Sequence, residues 1–120
     1  MAADLNTKAK TRKLRELAGL AYTRELGAEL SKLEAEFVRW RSGEIDPFEL
    51  SDLIHRFHDG VSRDLYVLYG RLPPSDSVAR AVALQILQEA EVPPEVLEAL
   101  ERPLRFYAAQ VAEQDEVSED

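Results

Sequence analysis

The sequence predicts an all-α protein: a helical bundle of four to five helices with a long N-terminal helix. Apolar residues recur at spacings of three and four along the chain, which is the period of an amphipathic helix. No run alternates apolar and polar residues for more than a few positions, so no strand pattern competes with this assignment. Ser-Gly at 42–43 and Pro-Pro at 73–74 and 93–94 divide the chain into helical segments.

The first helix is expected from about Lys8 to Arg41, and Ser42-Gly43 ends it because glycine adopts the left-handed cap conformation at little cost. At 1.5 Å per residue this helix is about 50 Å long, whereas a compact domain of this size is about 35 Å across. We therefore expect it to overhang the body and to bind a second copy. The alternatives are a break near Gly19 or Gly27 and a frayed arm ahead of a helix that starts near Leu14. The apolar stripe of the helix comprises Leu14, Ala18, Tyr22, Leu26, Leu30, Leu33, Phe37 and Trp40. The side chains expected to contact the second copy are Leu14, Leu17, Leu20 and Tyr22.

The second helix has the strongest start signal in the sequence. Asp46 is expected as its N-cap, with Pro47 at the first helical position and Glu49 completing a capping box. Ile45 and Leu50 flank this cap at the spacing of a hydrophobic staple. Farther along the helix, Asp-Gly at 59–60 predicts a kink or a brief break, with Asp59 or Ser62 capping the second half.

The remaining helices are bounded by prolines. After 73–74 we expect a third helix that is capped by Ser75 or Asp76 and runs to Leu87. A fourth segment follows the second Pro-Pro pair and contains a further proline. Because proline inside a helix removes a hydrogen bond, this segment is expected to kink or to form two short helices that meet at 102–103.

Charge is distributed unevenly along the chain. The 15 basic and 23 acidic side chains give a net charge of −8. Residues 1–42 carry 9 basic and 6 acidic side chains (+3), whereas residues 43–120 carry 6 basic and 17 acidic ones (−11). This acidity makes nucleic-acid binding over the whole surface an unfavourable hypothesis, although a basic N-terminal arm could contact phosphates or an acidic protein surface. The arm consists of Lys8, Lys10, Arg12, Lys13 and Arg15.

Several functional classes are disfavoured by what the sequence lacks. Without cysteine there is no disulfide scaffold, thiolate metal site or thiol nucleophile. With no Gly-x-Ser-x-Gly elbow and no glycine-rich phosphate loop, we expect no enzyme and no cofactor. The first 15 residues do not resemble a secretory signal, and no apolar run reaches the ~20 residues of a membrane span, so we expect a cytoplasmic protein. We expect a single domain over 1–120, with frayed ends at 1–7 and 113–120.

Two histidines lie in one acidic stretch of the second helix. Asp52, His55 and Asp59 share its polar face at spacings of three and four, and His58 lies at the border of the core. A metal ion could bind there if another helix completed its ligands, or the cluster could form a pH-responsive contact. The simpler interpretation is a packed His58 that bonds a backbone carbonyl.

A second candidate contact surface follows the kink, where Arg63, Tyr66 and Tyr69 combine two residue types that are favoured at binding hot spots. The alternative is that both tyrosines line the edge of a small core. Residues 48–58 resemble segments of short bacterial proteins, and this resemblance implies no activity. We therefore interpret the chain as a small non-enzymatic protein-interaction or regulatory module that self-associates through helix 1. The alternatives are metal binding by the histidine cluster and nucleic-acid contact through the basic arm.

Overall fold

Helices account for most of the chain, as the sequence predicts. The computed structural model describes residues 6–119, and the side chains of residues 6–116; within them there is no strand. The helices are α1 (Thr7–Arg41), α2 (Pro47–Phe57), α3 (Arg63–Arg71), α4 (Pro74–Ala83), α5 (Pro94–Ala99) and α6 (Glu101–Glu119). One π-helical turn, His58–Ser62, joins α2 and α3 into a single kinked helix, so the described chain has five helices and a 3-10 turn at Glu89–Glu91. The predicted fold class is confirmed.

Both ends of α1 are capped by local interactions. A backbone N–H of the first turn donates to Oδ1 of Asn6 at 2.7 Å, a cap that the sequence analysis did not identify. At the other end, the Glu44 N–H donates to the Arg39 carbonyl at 2.9 Å and the Gly43 N–H donates to the Trp40 carbonyl at 3.1 Å. This is a Schellman motif, and it requires the positive φ of +85° that Gly43 supplies. The predicted end of the first helix is confirmed.

The capping box at the start of α2 is also confirmed. The Glu49 N–H donates to Oδ1 of Asp46 at 2.7 Å, and the Asp46 N–H donates to Oε1 of Glu49 at 3.3 Å. Pro47 occupies the first helical position, where it removes no helical hydrogen bond. Ile45 and Leu50, the expected staple residues, are both buried.

The kink predicted at 59–60 occurs at Gly60, whose φ of −101° and ψ of −106° are not helical. The expected new cap does not form, since neither Asp59 nor Ser62 makes a side-chain hydrogen bond to any described residue. The backbone instead continues through the π-helical turn, in which the Arg63 N–H donates to the Gly60 carbonyl. With this continuity α3 needs no new N-cap.

Helix α4, which is the third helix predicted from the sequence, begins and ends at residues other than those expected. It begins at Pro74 with Pro73 as its N-cap residue, so the expectation of a Ser75 or Asp76 cap was wrong. Pro74 fits the first helical position with its fixed φ, which moves the start upstream of both polar candidates. The helix ends at Ala83 rather than Leu87.

The end of α4 is a Schellman motif built without glycine. The Ile86 N–H donates to the Ala81 carbonyl at 2.8 Å, and Gln85 adopts a φ of +63°. A left-handed residue other than glycine costs about 1–2 kcal/mol. The turn directs Leu87 inward, where its side chain is almost fully buried, and that burial contributes about 1.5–3 kcal/mol. Tertiary burial therefore outweighs the helical spacing that predicted a longer helix.

The fourth segment divides into two helices, which is one of the two expected forms. The break lies at Leu100, two residues before the predicted junction at 102–103. Pro103 therefore falls in the first turn of α6, where its missing N–H has no helical acceptor to lose. The helix then continues to Glu119. Of the ends expected to fray, 113–119 are helical, and residues 1–5 and 120 lie outside the described residues.

The described chain forms two compact units. One unit contains residues 6–21 and 72–119, and α4 and α6 form its main helix pair. Its buried apolar residues are Leu17, Ala21, Val78, Ala79, Ala81, Leu87, Val92, Val96 and Leu100. The second unit contains residues 22–71, and its buried apolar residues are Ile45, Leu50 and Leu65. The assignment of the chain to a single domain stays a prediction.

Within the first unit, Tyr107 of α6 lies beside Asp76 of α4. Burial raises the pKa of the Tyr107 phenol, and the negative charge of Asp76 raises it further, while Arg80 opposes the shift.

No described helix is both long enough and apolar enough to cross a membrane.

Candidate functional site

The C-terminal part of α1 carries apolar side chains that the chain leaves open to solvent. Leu30 is 47% exposed and Val38 is 61% exposed. At about 100° per residue, five residues fall within one sector roughly 100° wide. These residues, which we call the α1 face, are Leu30, Glu34, Phe37, Val38 and Arg41. They line a shallow groove of about 550 Å³ together with Ser31, Leu33 and Ala35.

The charges near the α1 face are partnered except for two. Three ion pairs occur on this part of the chain: Glu29–Lys32 at 2.9 Å, Glu36–Arg39 at 2.8 Å and Glu44–Arg39 at 3.0 Å. The hydrogen bond to Glu44, followed by the attraction of Glu36, raises the pKa of Arg39. Glu34 and Arg41 form no hydrogen bond or ion pair with any described residue. The α1 face therefore carries one unpaired charge of each sign.

The helix-1 residues expected to contact a second copy differ in accessibility. Leu17 is buried, Leu14 and Tyr22 are half-buried, and Leu20 is 37% exposed. Their contact with a second copy stays a prediction, with Leu20 as its most accessible member. The more exposed α1 face was not identified from sequence, because Leu30 and Phe37 were assigned only to the apolar stripe that runs along the whole helix.

A second site lies where the π-helical turn meets Tyr22 of α1. It is a cleft of about 450 Å³ within the second unit. It is lined by Tyr22, His58, Asp59, Ser62, Arg63, Tyr66 and Val67. The structure thus brings together members of two sets that the sequence analysis treated as separate, the histidine cluster and the tyrosine–arginine surface. Its donors, acceptors and aromatic rings could bind polar groups of a peptide or small molecule.

Tyr69, the third member of the tyrosine–arginine set, does not line this cleft but packs against Tyr22, which does. Its ring stacks on Tyr22 with centroids 4.6 Å apart and planes 1° from parallel. Its hydroxyl donates to Oε1 of Glu25 at 2.8 Å. Tyr69 therefore holds the ring of Tyr22 in place. This arrangement is compatible with the alternative in which Tyr69 lines the edge of a small core, whereas Tyr66 is exposed.

The predicted metal cluster is not assembled as a ligand set. Asp52 forms an ion pair with Arg56, and His55 lies outside the cleft that holds His58 and Asp59. Within the described chain, no group of three or more histidine, aspartate and glutamate side chains is arranged to hold a metal ion. Metal binding by this cluster stays a prediction.

The basic arm is helical from the first turns of α1. Lys8, Arg12 and Arg15 share one face at spacings of four and three. Lys10 and Lys13 lie on another face of the helix, and Lys13 pairs with Glu16 at 3.7 Å. The arm therefore presents a line of three cations rather than a cluster of five.

Comparison with known proteins found no match among family models, curated proteins or solved structures. We therefore infer function from the side chains of this chain alone.

Proposed function

We propose that this protein is a small, non-enzymatic interaction module that self-associates through α1. The α1 face carries the proposal, because Leu30 and Val38 are exposed beside the half-buried Phe37. Together with the groove that they line, these exposed apolar side chains favour a protein–protein contact. A second copy is the favoured occupant, since the face bears one charge of each sign and so can complement itself.

The size of the α1 face sets the strength of the association. Its twelve helical residues span about 18 Å, and a strip of this length buries less surface than the roughly 800 Å² per partner of a standard interface. We therefore expect a weak dimer with a Kd on the order of 10–100 μM. Because Val38 is 61% exposed, its burial contributes about 0.9 kcal/mol per copy and about 1.8 kcal/mol per dimer.

The test is light scattering of the full chain and of the Val38→Asp variant at several concentrations. Losing the burial of Val38 alone weakens the dimer about 20-fold, and placing a carboxylate in the interface weakens it further. Ile54→Asp is the matched control, because Ile54 is also an exposed, branched aliphatic residue in a helix of the same unit and lines neither the groove nor the cleft. We expect Ile54→Asp to associate like the wild type, and circular dichroism checks that both variants remain helical.

A third variant separates the α1 face from the surface first expected on helix 1. Leu20→Asp should leave association unchanged if the contact lies at 30–41. A monomeric Leu20→Asp beside a dimeric Val38→Asp would move the interface to the N-terminal half of α1. A wild type that stays monomeric would refute self-association altogether.

A further inference from the structure

We infer that two copies pack their α1 faces antiparallel about a two-fold axis between Phe37 and Val38, so that Glu34 of each copy pairs with Arg41 of the other. This inference rests on the proposed self-association and adds its orientation and register.

The two unpaired charges lie on the same side of α1. Glu34 and Arg41 are seven residues apart, so they lie at nearly the same angle around the helix and about 10 Å apart along it. At this separation the two side chains form no ion pair with each other, since such a pair requires nitrogen and oxygen within about 4 Å. Neither forms an ion pair with another side chain of residues 6–116.

Symmetry decides the orientation. A parallel pair of α1 helices in register places Glu34 opposite Glu34 and Arg41 opposite Arg41, which repel. An antiparallel pair centred midway between these positions places Glu34 opposite Arg41 twice, because in a two-fold interface each contact occurs in both directions. The same centre falls between Phe37 and Val38, so these two apolar residues meet at the axis and the charges flank them, whereas Leu30 lies about 11 Å from the axis.

The apolar residues and the charged residues of this interface have different roles. Phe37 and Val38 supply the apolar contact, whereas an exposed ion pair contributes only about twofold to fivefold in affinity. Charge complementarity of this kind chiefly selects orientation and suppresses the wrong pairing. Reversing one charge in both copies replaces two attractive contacts with two repulsive ones, which should weaken the dimer about tenfold at low salt.

Charge reversal is the first test, read by sedimentation at low and high salt. Glu34→Arg and Arg41→Glu should each weaken the dimer about tenfold, and the double variant should return to within about twofold of the wild type. High salt should reduce the differences, because it screens exposed charges. Single variants that dimerise like the wild type would refute the antiparallel register and leave self-association standing. A monomeric wild type would refute the proposed function itself.

Disulfide trapping is the second test, and the cysteine-free chain suits it because an introduced cysteine can pair only with its copy. Position 38 lies beside the two-fold axis, whereas the two copies of position 30 lie about 22 Å apart along it. A disulfide requires Cα atoms about 4.4–6.8 Å apart. We therefore expect Val38→Cys to cross-link upon mild oxidation and Leu30→Cys to remain reduced. Comparable cross-linking at both positions would indicate a parallel pair and overturn the inference.

Discussion

The capping box of α2 makes a stability prediction that can be worked out from its geometry. In Asp46→Ala the Glu49 N–H loses the acceptor that it contacts at 2.7 Å. Loss of such a cap costs about 1 kcal/mol, and loss of a negative charge at a helix N-terminus costs about 0.3–1 kcal/mol more. The 3.3 Å bond from the Asp46 N–H to Glu49 is independent of the deleted side chain. We therefore expect the free energy of unfolding to fall by about 1.5 kcal/mol.

Asp46→Asn is the matched control, since asparagine keeps the acceptor and removes only the charge. It should lose about 0.5 kcal/mol, the charge contribution alone. Urea unfolding measures both variants at a concentration where the chain is monomeric, so that association does not contribute. With a slope near 2 kcal/mol per molar urea, Asp46→Ala should lower the midpoint by about 0.7 M. An alanine variant within about 0.3 kcal/mol of the wild type would show that the capping box does not stabilise α2.

Two further predictions concern the backbone and pH. Gly43→Ala should destabilise the protein by about 1–2 kcal/mol, because alanine is strained at a φ of +85°. Gly70→Ala within α3 should instead stabilise it by about 0.5–1 kcal/mol, because alanine favours the helix and the added methyl group meets open space. Thermal unfolding compares the two variants, and equal shifts in their unfolding temperatures would contradict the prediction. Since burial and then Asp76 raise the folded pKa of Tyr107, native protein holds the phenolic proton more tightly, so the free energy of unfolding should fall as pH rises from about 10 through the higher folded pKa. Tyr107→Phe should reduce this fall in urea titrations across that range, and an unchanged pH dependence would contradict the assignment.

Local sequence signals predicted the helix boundaries at which one or a few residues determine the backbone conformation. Gly43 supplies a positive φ, and Asp46, Pro47 and Glu49 together specify one cap, so both features could be identified without tertiary information. The end of α4 could not, because Gln85 takes the left-handed conformation that glycine usually supplies. What determines it is the burial of Leu87 in the tertiary structure, which no short motif records.

The candidate sites were predictable as residue types but not as an arrangement. The sequence analysis placed His58 and Asp59 in one set and Arg63 and Tyr66 in another, whereas in the structure members of both line one cleft with Tyr22 of α1. Spacing also identified the apolar stripe of α1 without indicating which part is covered by the rest of the chain. That depends on where tertiary contacts end, and so the exposed α1 face emerged only from the structure.

Sedimentation equilibrium of the wild-type chain tests self-association most directly. Over about 1–500 μM we expect the weight-average mass to rise from the 13.6 kDa of one chain toward twice that value, following a single monomer–dimer equilibrium. The rise should be largely lost in Val38→Asp and retained in Ile54→Asp. A mass that remains at 13.6 kDa throughout this range would contradict the proposal that α1 joins two copies of the protein.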